Sequence, residues 1–140
     1  MINPIVICLI DDDGIYQFYM KKIITVLHKI SRLISFGDGE EAVEFFEKNL
    51  ANSSELPNII FLDINMPVMD GWQFMEEYVK LKPKIAKEIT VYMLSSSNDD
   101  DDIEHAKSIN EISDYLIKPV TLEQLEEIVK VLNLDNKGLN

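Results

Sequence analysis

Four short apolar runs in this chain each end at polar residues that could do chemistry. The first run is followed by three carboxylates, the second by one carboxylate, the third by a hydroxyl and the fourth by an ammonium. In order, they are Asp11, Asp12 and Asp13 after Val6–Ile10, Asp63 after Ile59–Leu62, Ser95 after Thr90–Leu94, and Lys118 after Tyr115–Ile117. Such groups together can hold a divalent metal ion and a phosphoryl group. These residue types therefore predict phosphoryl chemistry, provided that the fold brings them together.

The acidic cluster Asp11, Asp12 and Asp13 needs an explanation, because adjacent carboxylates repel one another. A divalent cation is one explanation, since Mg²⁺ prefers oxygen ligands and binds one or two carboxylates while keeping several waters. A helix N-cap flanked by solvated loop acids is the other. The cluster taken alone leaves both interpretations open.

Asp63 follows a strand so apolar that its carboxylate is either strained by burial or used chemically. As a nucleophile it would form an acyl phosphate, and the alternative is an aspartate that caps a loop. Lys118 ends an apolar run and precedes Pro119, so its ammonium needs an anion such as a phosphate or Asp63 itself. Ser95 could bond a phosphoryl oxygen, or it could be an ordinary serine at a strand end.

The apolar patterning predicts five strands that alternate with five helices. The predicted strands are Pro4–Ile10, Leu33–Phe36, Asn58–Leu62, Glu88–Leu94 and Asp114–Ile117. The predicted helices are Gly14–Ile30, Asp38–Leu50, Trp72–Leu81, Asn98–Ile109 and Thr121–Leu132. Such alternation is typical of an α/β fold with a parallel sheet between two layers of helices. The carboxyl ends of the strands then share one edge, where the four polar groups converge.

Three local details accompany this prediction. The first helix is expected to bury residues spaced by three and four, namely Ile15, Phe18, Tyr19, Ile23, Val26, Leu27 and Ile30. Capping boxes are expected at Asp38 with Glu41 and at Thr121 with Gln124.

Composition limits the function classes. A chain of 140 residues is most simply one domain, and 46% hydrophobic residues suffice for a substantial core. Its net charge of −12 argues against nucleic acid as a direct partner, because no basic patch is available to neutralise phosphates. No apolar run approaches the ~20 residues of a membrane span, and no secretion signal is evident. We therefore expect a cytoplasmic protein that contacts neither nucleic acid nor membrane and has no room for an effector domain.

In combination, the motifs resemble a known family. They are Leu9–Asp13, Leu62–Gly71, Ser95 and Asp114–Pro119. These residues resemble the receiver domain of two-component response regulators, and the resemblance extends over about residues 5–132. It implies a flavodoxin-like (βα)5 fold, a doubly wound parallel sheet of strand order 2-1-3-4-5. We expect the receiver domain to span residues 1–133 and residues 134–140 to be a flexible tail.

The resemblance also implies roles for the acidic residues. Asp63 would be the phospho-acceptor and, with Asp12, a direct ligand of Mg²⁺, for which Mn²⁺ could substitute. Asp11 would bind the metal ion through water, and the backbone carbonyl of Asn65 would be a further ligand. Asp13 lies just past the acidic pair and is interpreted as a cap of the first helix.

The remaining roles concern the signal. Lys118 would bind a phosphoryl oxygen and pair with Asp63 before phosphorylation. Ser95 takes the position of the switch hydroxyl, with serine in place of the commoner threonine, and Tyr115 that of the switch aromatic. The loop Ala51–Pro57 is longer than in minimal members. Neither departure conflicts with the resemblance.

The implied function is that of a stand-alone response regulator, a signalling domain rather than a conventional enzyme. It would accept a phosphoryl group from a histidine kinase or a histidine phosphotransfer protein and slowly lose it. Its fourth helix, fifth strand and fifth helix would then contact a downstream protein target. A monomer and a phosphorylation-dependent homodimer are both compatible with the sequence.

Two alternatives remain open from the sequence. The first is a phosphatase of the haloacid dehalogenase type, which uses similar groups. There, however, the nucleophile lies near the start of the chain and a second aspartate follows two residues later, whereas Asn65 follows Asp63 here. The second is a receiver-like interaction module that is never phosphorylated, against which the complete set of acidic, hydroxyl and lysine residues argues.

Overall fold

Strands and helices alternate along the chain, as the sequence predicts. The structure, a computed structural model, describes residues 5–66 and 68–138, and for residues 133–138 the backbone alone. The strands are β1 (Ile5–Ile10), β2 (Ile30–Phe36), β3 (Ile59–Asp63), β4 (Thr90–Ser95) and β5 (Ile112–Ile117). The helices are α1 (Gly14–Val26), α2 (Gly39–Lys48), α3 (Gly71–Leu81), α4 (Asp100–Lys107) and α5 (Leu122–Gly138), and a 3₁₀ turn, Lys82–Lys84, follows α3.

The five strands form one parallel sheet in the order β2-β1-β3-β4-β5. This confirms the predicted fold class and strand order. All six residues of β1 and all five of β3 are buried, because helices cover both faces of the sheet. In the register, Asp63 pairs with Leu94 and Ser95 pairs with Ile117. The ends of β3, β4 and β5 therefore lie side by side at the carboxyl edge.

Two apolar clusters, one on each face of the sheet, hold the helices in place. The cluster that includes α2, α3 and α4 is centred on aromatic side chains, with Phe46 and Phe74 fully buried and Tyr78 nearly so. The cluster that includes α1 and α5 buries Met20 and Leu125 completely. Burial of this apolar area is the main source of stability, and it fixes the sheet edge on which the polar residues lie.

The structure corrects the predicted buried face of α1. Tyr16, Met20 and Ile24 face the core, whereas Ile15 is 84% exposed and Phe18 is 61% exposed. Val26, also predicted to be buried, is exposed. The helix has apolar residues on more than one face, so two different faces both show apolar spacings of three and four. The sequence alone does not tell which of these faces packs against the sheet.

Several predicted boundaries also change. The first helix ends at Val26 rather than at Ile30, because Ile30 already pairs with Ile5 in the ladder between β1 and β2. The last helix continues to Gly138, beyond the predicted end at Leu132. The flexible tail predicted for residues 134–140 stays a prediction.

Of the two predicted capping boxes, the second is confirmed. The backbone N–H of Gln124 donates to Thr121 Oγ1, and the Thr121 N–H donates to Gln124 Oε1. At α2, the Asp38 side chain caps the N–H of Glu40 instead.

Pro4, the predicted first residue of β1, lies outside the described residues. In the part of the chain that the structure describes, no helix has the length and apolar character to cross a membrane.

Candidate functional site

The acidic cluster is built at the end of β1. Asp11 is fully buried, and its backbone N–H donates to the carbonyl of Phe36 at 2.9 Å. Its Oδ1 accepts from the N–H of Asp13 at 2.9 Å, and its carbonyl accepts from Gln17 Nε2 at 2.7 Å. These bonds fix the orientation of the Asp11 carboxylate and leave Oδ2 facing the site.

Asp13 has a different role from its neighbours. Its Oδ1 accepts from the backbone N–H groups of Ile15 and Tyr16, at 2.9 and 3.3 Å. Asp13 is therefore the N-cap of α1, which confirms the interpretation made from the sequence. Asp12, which lies between the two, is exposed.

Lys118 joins two of the carboxylates. Its Nζ lies 2.6 Å from Asp11 Oδ2 and 3.2 Å from Asp63 Oδ1. Asp63 is 6% exposed, so both ion pairs are largely removed from water. The end of β1, the end of β3 and the residue after β5 are thus connected through one ammonium, as the sequence predicts for Lys118 and Asp63.

Burial and charge act in opposite directions on Asp63. Burial, together with the neighbouring carboxylate of Asp11, raises the pKa of Asp63 to about 6, although the Lys118 ammonium opposes the rise. Burial lowers the pKa of Lys118, but Asp11 and Asp63 outweigh it, so this pKa lies above its ordinary value. The site therefore contains more negative charge than one lysine neutralises, and a further cation would stabilise it.

The oxygen atoms present fit a magnesium ion. Asp11, Asp12 and Asp63 each offer a carboxylate oxygen within 4.8 Å of the others. The buried Asp11 Oδ2 is paired with the Lys118 ammonium at 2.6 Å, and Lys118 is shared with Asp63, so the three carboxylates have one neighbouring lysine between them. Carboxylate oxygens at such spacing, one of them exposed to water at Asp12, are the hard ligands that Mg²⁺ prefers.

The loop after Asp63 is held close to the strand by Gly71. A Cβ atom at Gly71 would lie 2.5 Å from the backbone oxygen of Asp63, so a side chain there would clash with backbone. The Gly71 N–H donates to the carbonyl of Ile64 at 2.8 Å. Within this loop, Val68 has a φ of 70°, an unfavourable conformation for a β-branched residue. Such strain beside reactive groups is common at functional sites.

Two tyrosines of α1, which sequence reasoning missed, hold the segment after Lys118. The Tyr16 hydroxyl accepts from the N–H of Val120 at 3.2 Å, and the Tyr19 hydroxyl donates to the Val120 carbonyl at 2.7 Å. The Lys118 ammonium also lies 4.8 Å from the centre of the Tyr16 ring. Their aromatic character was visible in the sequence, but their target lies about a hundred residues away, so no local signal could reveal it.

Ser95 and Tyr115, the predicted switch residues, are linked through the loop after β4. Ser95 is buried, and its Oγ accepts from the N–H of Ser97 at 3.1 Å. The Tyr115 hydroxyl donates to the Ser97 carbonyl at 2.7 Å. The Ser95 carbonyl accepts from the backbone N–H of Lys118 at 2.8 Å, which joins the ends of β4 and β5. The peptide bond between Lys118 and Pro119 is cis. Ser97 was not singled out from the sequence.

The predicted role of the Asn65 carbonyl as a metal ligand stays a prediction. Asn65 itself is exposed beside the site. Pro67, in the same loop, lies outside the described residues. Trp72 and His105 stack with ring centroids 3.9 Å apart, which agrees with a packing role for both. Asp99 caps α4, and the acidic residues Asp100, Asp101 and Asp102 form the first turn of that helix.

The comparisons with known proteins agree with this geometry. A protein-family model described as "Response regulator receiver domain" matches residues 7–130. The chain therefore belongs to the response regulator receiver domain family, which functions in two-component signalling. Receiver domains are signalling domains, and membership of this family excludes the haloacid-dehalogenase-like alternative.

Individual relatives cover most of the chain. FilR2 of Methanothrix harundinacea is 27% identical over 128 residues, which are 91% of this chain and 81% of FilR2. Rcp1 of Synechocystis is 29% identical over 91% of this chain and 85% of Rcp1. The chain spans half the length of other curated relatives, such as DegU of Brevibacillus brevis.

Solved structures show the same architecture. A two-component response regulator from Cytophaga hutchinsonii is 32% identical, with a TM-score of 0.82 over 94% of this chain and 99% of that one. The Mn²⁺-bound form of Rcp1 is 27% identical, with a TM-score of 0.68 over 92% of this chain and 91% of that one. The second structure shows that a similar protein holds a divalent metal ion.

Proposed function

We propose that this receiver domain accepts a phosphoryl group on Asp63 from a phosphohistidine of a histidine kinase or a histidine phosphotransfer protein. The observation that supports this most directly is the Lys118 ammonium between Asp11 and Asp63, beside a third carboxylate that completes a cation site. This arrangement holds a nucleophilic carboxylate in a site with little access to water, next to groups that bind phosphoryl oxygens.

In the reaction, an oxygen of the Asp63 carboxylate attacks the phosphorus atom in line with the donor nitrogen. The phosphorus–nitrogen bond breaks as the new phosphorus–oxygen bond forms, and its electron pair stays on the imidazole. Lys118, already 3.2 Å from Asp63 Oδ1, pairs with a phosphoryl oxygen. Because these groups are positioned before the donor arrives, positioning and electrostatics account for most of the rate.

Asp11, Asp12 and Asp63 would hold the Mg²⁺ ion. When bound, this ion supplies positive charge to the phosphoryl oxygens and to the carboxylates. Among the chain's own groups, Asp11 remains paired with Lys118 and keeps the ammonium aimed into the site. Asp12, being exposed, would be the carboxylate ligand on the solvent side of this ion.

The phosphoryl group carries about −2 charge, and it replaces the single negative charge of the Asp63 carboxylate beside Ser95 and Lys118. A Ser95 hydroxyl that turns to donate to the phosphoryl oxygen gives up its bond with the Ser97 N–H. The Ser97 carbonyl holds the Tyr115 hydroxyl, so a change in this loop alters the surface of α4, β5 and α5. We propose that this surface binds the downstream target and that phosphorylation changes its affinity.

The test is labelling by a small phosphodonor, acetyl phosphate, in the presence of Mg²⁺. We expect a hydroxylamine-sensitive phosphoryl label on the wild-type chain, and no label on Asp63→Asn, which cannot form an acyl phosphate. Asp38→Asn is the matched control, because it makes the same change at an aspartate outside the carboxylate group of the site, where Asn can still cap α2, and it should leave labelling intact. A label that persists on Asp63→Asn would place the acceptor elsewhere.

A second measurement addresses the inert-module alternative. Beryllofluoride with Mg²⁺ imitates an acyl phosphate, and Trp72 directly follows the glycine that contacts Asp63. We expect a saturable change in the fluorescence of Trp72, the only tryptophan of the chain, and none for Asp63→Asn. An unresponsive wild-type protein would support the inert module.

A further inference from the structure

Tyr16, in the first turn of α1, faces the Lys118 ammonium. The centre of its ring lies 4.8 Å from Lys118 Nζ, a distance at which the face of an aromatic ring attracts a cation. Tyr16 is 7% exposed and the Lys118 side chain is 15% exposed, so water screens this attraction only weakly. The ammonium is therefore held more firmly than in the same pair of residues at the surface.

The Tyr16 hydroxyl fixes the chain that leads away from Lys118. It accepts from the N–H of Val120 at 3.2 Å, while the Tyr19 hydroxyl donates to the Val120 carbonyl at 2.7 Å. Val120 is fully buried between β5 and α5, so the two hydroxyls supply the partners that its backbone requires. Tyr16 thus holds Lys118 at its ammonium through the ring, and two residues along the backbone through the hydroxyl.

The position of Tyr16 is set by the acidic end of β1. The backbone N–H of Tyr16 donates to Asp13 Oδ1 at 3.3 Å, and Asp13 caps α1 two residues after Asp11. Asp11 Oδ2 in turn pairs with Lys118 Nζ at 2.6 Å. One short segment, residues 11–16, therefore carries both a carboxylate and the aromatic ring that contact the ammonium.

The ring differs from the carboxylate partners of Lys118 in one respect. In the proposed reaction, Asp63 becomes an acyl phosphate, so its carboxylate no longer pairs with Lys118. Asp11 would share its negative charge between Lys118 and a bound cation. The Tyr16 ring is uncharged and takes part in neither change, so its attraction for the ammonium persists throughout the transfer.

We propose that Tyr16 is a positioning residue for phosphoryl transfer, whose ring keeps the Lys118 ammonium in place while the partner of that ammonium changes from carboxylate to phosphate. The inference rests on the proposed function, because it assigns a residue that acts through Lys118 in that reaction. A lysine side chain is long and flexible, so a fixed ring reduces the number of conformations open to the ammonium before transfer.

The test compares Tyr16→Leu, which removes the ring and the hydroxyl, with Tyr16→Phe, which keeps the ring and removes the hydroxyl. The measurement is the rate of labelling by acetyl phosphate with Mg²⁺. We expect labelling to be about tenfold slower for Tyr16→Leu and at most about twofold slower for Tyr16→Phe, because the ring carries the larger part of the effect. Equal rates in the two variants would mean that the ring has no role, and the proposal would be wrong.

Phe18→Leu is the matched control on the same helix. Lys22 Nζ lies 4.9 Å from the centre of the Phe18 ring, so this variant also removes a contact between a lysine and a ring, but both residues are exposed. Its labelling rate should equal that of the wild type. Slowing as large as that of Tyr16→Leu would show that loss of any ring from α1 disturbs the site, and it would contradict a specific role for Tyr16.

A double-mutant cycle separates positioning of Lys118 from a general loss of structure. If Tyr16 acts through Lys118, Tyr16→Leu should slow labelling no further in a chain that already carries Lys118→Ala. Slowing by the same factor in both backgrounds would show that the effect of Tyr16 bypasses Lys118. That result would overturn the proposal even if Tyr16→Leu alone were slow.

A measurement on the protein without metal or phosphodonor gives an independent test. Protons above the face of an aromatic ring resonate upfield, and the Lys118 ε-methylene signal can be assigned by its absence from Lys118→Ala. We expect this signal upfield of its random-coil position in the wild type and in Tyr16→Phe, but not in Tyr16→Leu. A random-coil position in the wild type would refute the contact, whether or not the variants fold.

The wild-type labelling reaction distinguishes failure of this inference from failure of the proposed function. A wild-type chain that takes no label from acetyl phosphate refutes the proposed function, whatever the position of the Lys118 signal. A wild-type chain that is labelled, with Tyr16→Leu labelled at the same rate, refutes the role of Tyr16 alone.

Discussion

Two partly buried lysines near opposite ends of the sheet have different kinds of partner. Lys87, just before β4, donates to the backbone carbonyls of Ser53 and Leu56, at 3.1 and 2.7 Å. Lys118, just after β5, lies between the carboxylates of Asp11 and Asp63. Burial, with a smaller contribution from Arg32, lowers the pKa of Lys87, whereas the two carboxylates keep the pKa of Lys118 above its ordinary value.

The difference shows how one residue type can have a structural role in one place and a chemical role in another. Carbonyl groups are fixed partners, and Lys87 uses them to hold the long loop Ala51–Pro57 against the chain before β4. Ser53 supports the same contact, since its hydroxyl donates to the Ala86 carbonyl at 3.0 Å. A carboxylate can be modified, so the partner of Lys118 can change from Asp63 to a phosphoryl group.

The largest difference between the two lysines is expected in the rate of phosphoryl transfer. Lys118→Ala removes the ammonium that pairs with the transferred group, and we expect labelling by acetyl phosphate about a hundredfold slower. We also expect phosphorylation to lose its effect on the Tyr115 amide signal, because the phosphoryl group loses its partner beside Ser95. Labelling time courses and amide spectra measure the two effects.

Lys87→Ala is the control for this prediction, since it removes an ammonium of similar exposure from the other end of the sheet. Its labelling rate should match that of the wild type. If both variants slowed labelling equally, loss of stability rather than loss of the Lys118 charge would explain the result. Normal target binding by phosphorylated Lys118→Ala would contradict the coupling that we propose.

An intermediate effect is expected in the pH dependence of stability. The pKa of Asp63 is raised to about 6 in the folded protein, above the ~3.9 of an unfolded aspartate. The folded state therefore holds this proton more tightly, and the stabilisation is complete below pH ~4 and is lost as the pH rises through about 6. The ionised Asp63 thus lowers the free energy of unfolding at neutral pH.

Asp63→Asn removes this cost, so the variant should be more stable than the wild type at pH 7 by ~1–2 kcal/mol. This is below the ~3 kcal/mol of a full two-unit shift, because the amide of Asn is an imperfect replacement for a neutral carboxyl beside the Lys118 ammonium. The advantage should vanish near pH 4, where Asp63 is neutral. Urea unfolding from pH 4 to 8 without Mg²⁺ measures it, and a constant difference at all pH values would refute the assignment of the shift.

The sequence allowed prediction of much of the site, because its main groups lie at strand ends. The apolar runs defined the strands, and parallel strands place their carboxyl ends on one edge. That rule was enough to group Asp11, Asp63, Ser95 and Lys118. It could not reveal Tyr16, since a tyrosine that bonds to Val120 is indistinguishable in sequence from a core aromatic.

The helices illustrate the same limit. The existence of α1 was predictable, but its rotation was not, because Ile15 and Phe18 complete one apolar stripe while Tyr16 and Met20 complete another. The rotation is determined by packing on the sheet, which is a tertiary effect. The role of Gly71 was hidden for a similar reason, since the backbone oxygen that it approaches belongs to Asp63 across the loop.

The smallest effect is expected for the stability of Lys87→Ala. Two hydrogen bonds are lost, one to the carbonyl of the exposed Ser53 and one to the carbonyl of the buried Leu56, and at about 1 kcal/mol for each bond the cost is ~1–2 kcal/mol. Urea unfolding measures the change, and hydrogen exchange should show faster opening of residues 51–57 with little change at β1. The loop contacts of Lys87 lie away from the carboxylates, so the stability loss should be the same with and without Mg²⁺. A loss that depended on Mg²⁺ would show that this end of the sheet communicates with the site, and the contrast between a structural and a chemical lysine would no longer hold.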